Sequence, residues 1–312
     1  MSAVVVDLHC DTILDIHSGE RRLDQRSAKG HIDLPRLKDG GVDVQVFAVY
    51  IAPKLAGRGP ARARELIETF RGVMAANARQ ITHVTTVEGI ERARREGKIA
   101  AVLSIENGDA LGGDPKLLDE FYQHGVRMLG LTWNPSNALG DGALGRQHGG
   151  LTDLGRAVLR RMEELGMVVD VSHLSEGSFW DAVKATRGPI IASHSNAAAL
   201  HQHPRNLTDE QLRTIAGRGG VVGVNFYAGF LGEATLPRVL DHIEYMVKVI
   251  GVDHVALGSD FDGIPQAPVG LEDASKMPNI TAGLLSRGFT PEQIHKILGG
   301  NALRVFKQVW KK

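Results

Sequence analysis

The stretch DLGRAVLRRMEELGMVVDVSHLSEGSFWDAVKATRGPIIASH, residues 153–194, decides the fold. Its opening part, 153–165, carries apolar residues at helical spacing. A β-branched run at 167–172 follows and leads into His173. A second helical stretch covers 176–186, and a second short run at 189–193 leads into His194. Helix, strand, helix, strand is the rhythm of parallel strands joined by crossover helices.

The rhythm extends in both directions. Further strands are predicted at 4–9, 42–49, 99–105, 127–132, 220–225 and 254–258, which with the first two makes eight. Further helices are predicted at 61–79, 115–124, 208–218 and 236–250. Thr208, with Glu210 and Gln211 in the first turn, marks one helix start. Eight units in 312 residues fit a closed α/β barrel, a (β/α)8 TIM-barrel-like fold, better than a doubly wound open sheet. No Pro/Ser-rich linker divides the chain. One barrel domain over 1–312 is expected, with a helix pair at 291–309 packed on it.

Composition narrows the function classes. Hydrophobic residues are 43% of the chain, enough for a large core, and 36 Lys+Arg balance 36 Asp+Glu. A neutral surface gives no reason to expect nucleic acid or an anionic membrane and points to a small-molecule substrate. A single cysteine, Cys10, excludes an intramolecular disulfide and fits a reducing compartment. The N-terminus shows no basic n-region with a long apolar core, and no apolar run reaches about 18 residues. A cytoplasmic protein with no membrane partner is expected. The Gly-rich loop 134–150 contains Gly140-Asp-Gly142-Ala-Leu-Gly145, a formal GxGxxG match. It does not sit in a tight strand-to-helix turn, which pyrophosphate binding requires, so a mobile lid or surface loop is expected instead.

In a parallel barrel, chemistry collects at the C-terminal ends of the strands. After the first predicted strand come His9 and Asp11. After the third comes Glu106, after the fifth His173, after the sixth His194, and after the eighth Asp260. Singly, each has a bland explanation as a hydrogen-bonded or capping residue. Together, three imidazoles and three carboxylates in one mouth are costly to bury unless a divalent cation compensates them. This donor set suits Zn²⁺, with Mn²⁺, Fe²⁺ or Co²⁺ as substitutes. His9 and Asp11, two apart, point the same way. Glu106 can bridge two ions about 3.5–4 Å apart, and a hydroxide held between them is a strong nucleophile at neutral pH. Asp260 is the natural group to orient that water and pass its proton to a leaving amine.

Arg205, within a dozen residues of His194 in His201-Gln-His-Pro-Arg205-Asn206, can fork onto a substrate carboxylate. His201 and His203 read as polar loop residues. Cys10 should point into the barrel wall. A serine triad drawn from Ser193 and His194 lacks a nucleophile elbow.

These residues carry a family resemblance. Asp7-Leu-His-Cys-Asp11-Thr, His31-Ile-Asp-Leu-Pro-Arg-Leu, Gly40-Gly-Val-Asp-Val-Gln and Ser104-Ile-Glu-Asn-Gly run in order along the chain. Asp170-Val-Ser-His173, Ser193-His-Ser, Arg205-Asn206, Val224-Asn-Phe-Tyr227, Gly258-Ser-Asp-Phe-Asp-Gly263 and Gly300-Asn-Ala-Leu-Arg-Val-Phe306 continue it. The whole resembles the renal, or membrane, dipeptidases, the M19-type binuclear zinc peptidases. The resemblance implies two Zn²⁺ per chain: His9 and Asp11 on one, His173 and His194 on the other, Glu106 bridging. It implies Asp260 at the bridging water, Arg205 on the terminal carboxylate with Asn206 beside it, a dipeptide substrate that is L-L or L-D, and a homodimer. One position departs. Where the family has a histidine that helps stabilise the oxyanion, the fourth predicted strand here runs into Trp133 and Asn134. Asn134 or a metal can take over that task, and Trp133 is a candidate substrate contact. The alternatives are another binuclear amidohydrolase, lactonase- or deaminase-like, and an inactive metal-binding protein.

Overall fold

The computed structural model describes residues 3–311. Among them, nine strands form one all-parallel sheet: β1 Val6–Cys10, β2 Val44–Tyr50, β3 Ile81–His83, β4 Ile99–Glu106, β5 Val126–Gly130, β6 Val168–Asp170, β7 Ile190–Ile191, β8 Val222–Val224 and β9 Val255–Leu257. Neighbours run in the order β7-β6-β5-β4-β2-β1-β9-β8, with β3 paired beside β4. A bridge between Ala192 and Val222 brings the two ends together. The result is a nearly closed barrel of eight parallel strands wrapped in helices, the (β/α)8 architecture the alternation predicts. Each predicted strand has its counterpart. β3 is the addition: three residues are too few to show a period, and it pairs with the start of β4, at Ile99–Ala101, below where β5 joins.

The strands form for the reason their sequences suggest. β4 is buried at every position, and IAAVLSIE is the near-continuous apolar run of a strand covered on both faces. Val6, Leu8, Val44, Val46, Val102 and Val168 pack in one buried cluster with Phe306 and Trp310. The C-terminal helix thus seals the barrel's lower end with apolar side chains, leaving the C-terminal ends of the strands as the polar mouth. That helix corrects the expected pair. Pro291–His295, a wide π turn at Lys296–Gly300 and Asn301–Val309 follow one another without a break. Asn301 fastens it by donating to the carbonyls of Val252 and Val255 at the foot of β9.

β6 and β7 are shorter than the runs at 167–172 and 189–193. The Asp170 carboxylate accepts the backbone N–H groups of Ser172 and Ser193 and so replaces the ladder there. β9 ends at Leu257, and the glycine that follows packs on the chain just past β7: a Cβ on Gly258 would come to 1.8 Å from the Ser193 carbonyl oxygen. The loop 134–150, expected to be mobile, is instead laced. Asp141 is buried and its carboxylate accepts from Ser136 and from the backbone of Gln147, His148 and Gly149. No helix among the described residues is long and apolar enough to cross a membrane.

Candidate metal centre

A β-bulge aims the first two site residues. Asp7 pairs with Gln45 but Cys10 pairs with Phe47, so β1 holds one extra residue between them. Val6 and Leu8 belong to the cluster inside the barrel, whereas Cys10 packs in the outer layer with Phe47. The extra residue turns His9 and Asp11 into the mouth. Asp7 stays behind, accepting from Gln45 and Ser259. Strain marks the same end of the barrel. The non-glycine residues with left-handed φ among those described are Asn107, His173, Asp260 and Asp262. Each flanks or belongs to a strand-end motif, where such strain is typically functional.

The mouth gathers all the expected ligands. Three overlapping groups each bring one ligand atom per residue within 4.8 Å: His9, Asp11 and Glu106; Glu106, His173 and His194; His9, His194 and Asp260. Glu106 turns a different oxygen to each side. Oε2 lies 3.5 Å from His9 Nε2, and Oε1 lies 2.8 Å from His173 Nε2 and 3.8 Å from His194 Nε2.

Hydrogen bonds behind the imidazoles fix their tautomers. Ser193 Oγ donates to Asp170, so it can only accept from His194 Nδ1, 2.7 Å away. His173 Nδ1 lies 2.9 Å from Asn134 Oδ1, an acceptor, and must donate to it. Both Nε2 atoms are therefore bare lone pairs. They face each other at 2.8 Å, with a Glu106 oxygen equally close to one of them. Without a cation that convergence is repulsive. His9 adds to the case. It is 1% exposed, and neither ring nitrogen has a hydrogen-bond partner; Asp11 Oδ1 has none either. Such orphans cost about 1–3 kcal/mol each. A Cβ on Gly263 would come to 2.2 Å from Asp11 Oδ2 and 2.5 Å from Asp260 Oδ1, so only glycine leaves that space open. The residues fit divalent metal.

The electrostatics agree. Burial opposes charge on His9, but Glu106 and Asp11 outweigh it and hold the imidazole charged well above the ordinary histidine range. A proton there does what a cation would do. Burial pushes His173 down to about 4, helped by Arg205, and pushes His194 well below its usual value, so both stay neutral as ligands must. Burial, backed by Glu106, lifts Asp11 to about 6. Burial, backed by Asp11 and Glu106, lifts Asp260 to about 7 against the pull of His9. Asp260 turns Oδ1 toward His9 at 3.8 Å and accepts from Asn225 Nδ2 on Oδ2 at 2.9 Å. Two residues on, Asp262 pins the turn: its carboxylate accepts from Thr12, Arg21 and the His31 backbone.

A cleft of about 480 Å³ opens over the cluster, lined by Asp11, Glu106, His173, Asp260 and Arg205, with Trp133 and Asn134. Arg205 is 3% exposed yet has no carboxylate within salt-bridge distance among the described residues. Its guanidinium donates only to Ser195 Oγ and the His194 carbonyl, and Nε has no partner. Its neighbour Asn206 is not in this cleft. Asn206 Nδ2 holds the carbonyls of His201 and Phe230, and the residue borders a larger cavity of about 590 Å³ that is lined by none of the clustered His, Asp and Glu side chains. Asn134 reaches the cleft but uses Oδ1 to orient His173. His203, read from sequence as a plain loop residue, lines the cleft as well.

Sequence reasoning missed the Asp170–Ser193 relay, Asn225 and Tyr50. Asp170 and Asn225 sit inside quoted motifs, and that placement was the available signal. The relay has a measurable consequence. Ser193→Ala is expected to weaken metal binding about 10–100-fold, because the His194 ring loses the partner that fixes its tautomer. Competition against a chelator measures this, and unchanged affinity would show that the relay does not hold the ring.

A family model described as membrane dipeptidase, peptidase family M19, matches residues 1–312. The chain is 39% identical over 255 residues to a Klebsiella pneumoniae protein called the uncharacterized protein in pqqA 5′ region, covering 78% of this chain and 94% of that one. It superposes on dipeptidase AC, a metallo peptidase of family M19, with a TM-score of 0.93 and 28% identity over 99% of each chain. A metallo peptidase from Rhodobacter sphaeroides, solved with a phosphinate mimic of the dipeptide L-Ala-D-Ala, matches with a TM-score of 0.92 and 26% identity. That match covers 99% of this chain and 100% of the other.

Proposed function

This chain belongs to the membrane dipeptidase family, peptidase family M19, and from that premise we propose that it is a zinc dipeptidase, acting as a single barrel domain with two ions per chain. The observation that carries the reading is Glu106. It offers one oxygen to the His9–Asp11 side and the other to the His173–His194 side, as a carboxylate shared by two ions would. When bound, the ions would supply an activated water as nucleophile and a Lewis acid for the scissile carbonyl.

The chain's own residues supply the rest. His9 and Asp11 would hold one ion, His173 and His194 the other. Asp260, half-buried and held through Asn225, would take a proton from the attacking water and return it to the leaving amine. Arg205 would bind the C-terminal carboxylate; a buried guanidinium with no carboxylate partner among the described residues has capacity for one. The tautomer lock on His173 and His194 leaves their Nε2 lone pairs free and would present them to the ions. Both L-L and L-D dipeptides are expected substrates.

The test is a panel of L-L and L-D dipeptides with added Zn²⁺. Failure to cleave any of them, with metal bound, would overturn the reading in favour of a non-peptide amidohydrolase. Arg205→Ala sharpens it. We expect kcat/KM to fall about 10–100-fold on a free dipeptide, the loss of a charge-assisted pair of roughly 1.5–3 kcal/mol. The amidated dipeptide should be cleaved equally by both proteins, and an equal loss on both would remove Arg205 from carboxylate binding.

A further inference from the structure

Apart from the metal cluster, Asp260, Arg205 and His203, the cleft lining is almost free of usable charge. Asp262 is there, but Arg21 and Thr12 already occupy it. What remains is largely apolar and aromatic, including Leu14, Tyr50, Trp133, Tyr227, Phe230 and Ile264. The aromatic residues fall into two pairs. Tyr50 and Trp133 lie with ring centroids 5.5 Å apart, and Trp133 lies 6.1 Å from His173. Tyr227 and Phe230 lie edge to face at 4.9 Å, and the Arg205 guanidinium stands 5.3 Å from the Phe230 ring.

Barrel order separates the pairs. Tyr50 ends β2 and Trp133 follows β5, on either side of the strand that carries Glu106. Tyr227 and Phe230 follow β8, and Arg205 follows β7. In a ring ordered β1, β2, β4, β5, β6, β7, β8, β9, these are opposite sides of the mouth, with the metal cluster between. A dipeptide spans only about 7 Å of extended backbone. With its terminal carboxylate at Arg205 and its scissile carbonyl over the cluster, its N-terminal residue must lie on the Tyr50–Trp133 side.

Resting on the dipeptidase reading, we propose that Tyr50 and Trp133 form the recognition wall for the N-terminal side chain and select dipeptides whose first residue is bulky and apolar. The departure at Trp133 is then a specificity element. Two ring faces offer a large apolar surface and no partner for a negative charge, and Glu106 lies across from Tyr50 in the neighbouring strand. An acidic first residue is the least welcome, since its carboxylate would lose water against two aromatic rings whose negative faces offer it no compensation.

The experiment compares kcat/KM for Phe-Ala, Leu-Ala, Ala-Ala, Lys-Ala and Asp-Ala on the zinc-loaded enzyme. Phe-Ala is expected to exceed Ala-Ala by roughly tenfold or more, and Asp-Ala to fall below Ala-Ala. The ratio of Phe-Ala to Ala-Ala should collapse toward one in Trp133→Ala and survive largely in Trp133→Phe. Tyr50→Ala serves as a second variant. Because a ratio is read, a general loss of activity in a variant cancels. A wild-type ratio near or below one, or a ratio that survives both alanine substitutions, overturns the wall. If no dipeptide is cleaved at all, the dipeptidase reading fails and the wall fails with it. If dipeptides are cleaved without the preference, the wall alone is wrong.

Discussion

Asp260→Asn is expected to lower kcat by roughly 10³-fold, within the range of about 10²–10⁴ typical of a lost general acid–base group. The substitution changes little else. Asn is nearly isosteric and tolerates the left-handed backbone that position 260 adopts at φ 63°. Its amide oxygen can still accept from Asn225 Nδ2. The other five cluster residues keep their places, so metal content and melting temperature should stay near those of the wild type. The amide cannot take up a proton from water or deliver one to an amine. The informative result is therefore a pair of measurements, full metal content with nearly abolished turnover. Retention of more than about a tenth of the wild-type kcat would remove Asp260 from proton transfer.

Why this residue was legible from sequence, and others were not, follows from what sequence encodes. A run of β-branched residues that stops at His or a carboxylate announces both a strand and the direction in which its end faces. His9, Glu106, His173, His194 and Asp260 were all reached that way. The bulge in β1 has no such local sign. The pattern of VDLHCD suggests that Asp7 and His9 share a face, yet the register with β2 sends Asp7 elsewhere. Nor does any period reveal that Asp170 serves two backbone amides and a serine. Those partners meet because β6 and β7 approach each other, an event fixed by tertiary packing. The loop 134–150 teaches the same lesson. Its glycines signal freedom, but Asp141, which collects three of the loop's amides, ties it down. Asn206 shows the converse: a motif neighbour of Arg205 whose amide nitrogen ties its own loop, at His201, to Phe230 after β8.

Glu106→Gln should have the broadest effect of any single change at the mouth. Without Glu106, each side of the cluster keeps only two of its three-residue set, His9 with Asp11 on one and His173 with His194 on the other. A Gln side chain cannot replace it. One end of the amide is an oxygen, and the other is an N–H₂ that would face one ion with a donor. The formal charge that offsets two divalent ions also falls by one. At least one ion per chain is expected to be lost, and kcat/KM should fall by 10³-fold or more, about 4 kcal/mol of transition-state stabilisation. Stability supplies an independent reading. Metal that binds only the folded state raises its stability by about 2.7 kcal/mol when present at 100 times its dissociation constant. Stripping metal from the wild type with a chelator should therefore lower its melting temperature, and the same chelator should shift Glu106→Gln much less. The variant alone in metal-free buffer should itself be less stable than the wild type there. Burial opposes charge on Glu106, but the charged His9 imidazole outweighs it and holds the carboxyl well below the usual carboxylate range, an interaction the amide loses. A variant that keeps two ions per chain with wild-type affinity would show that Glu106 is not the shared ligand, and the two-ion reading would fall with it.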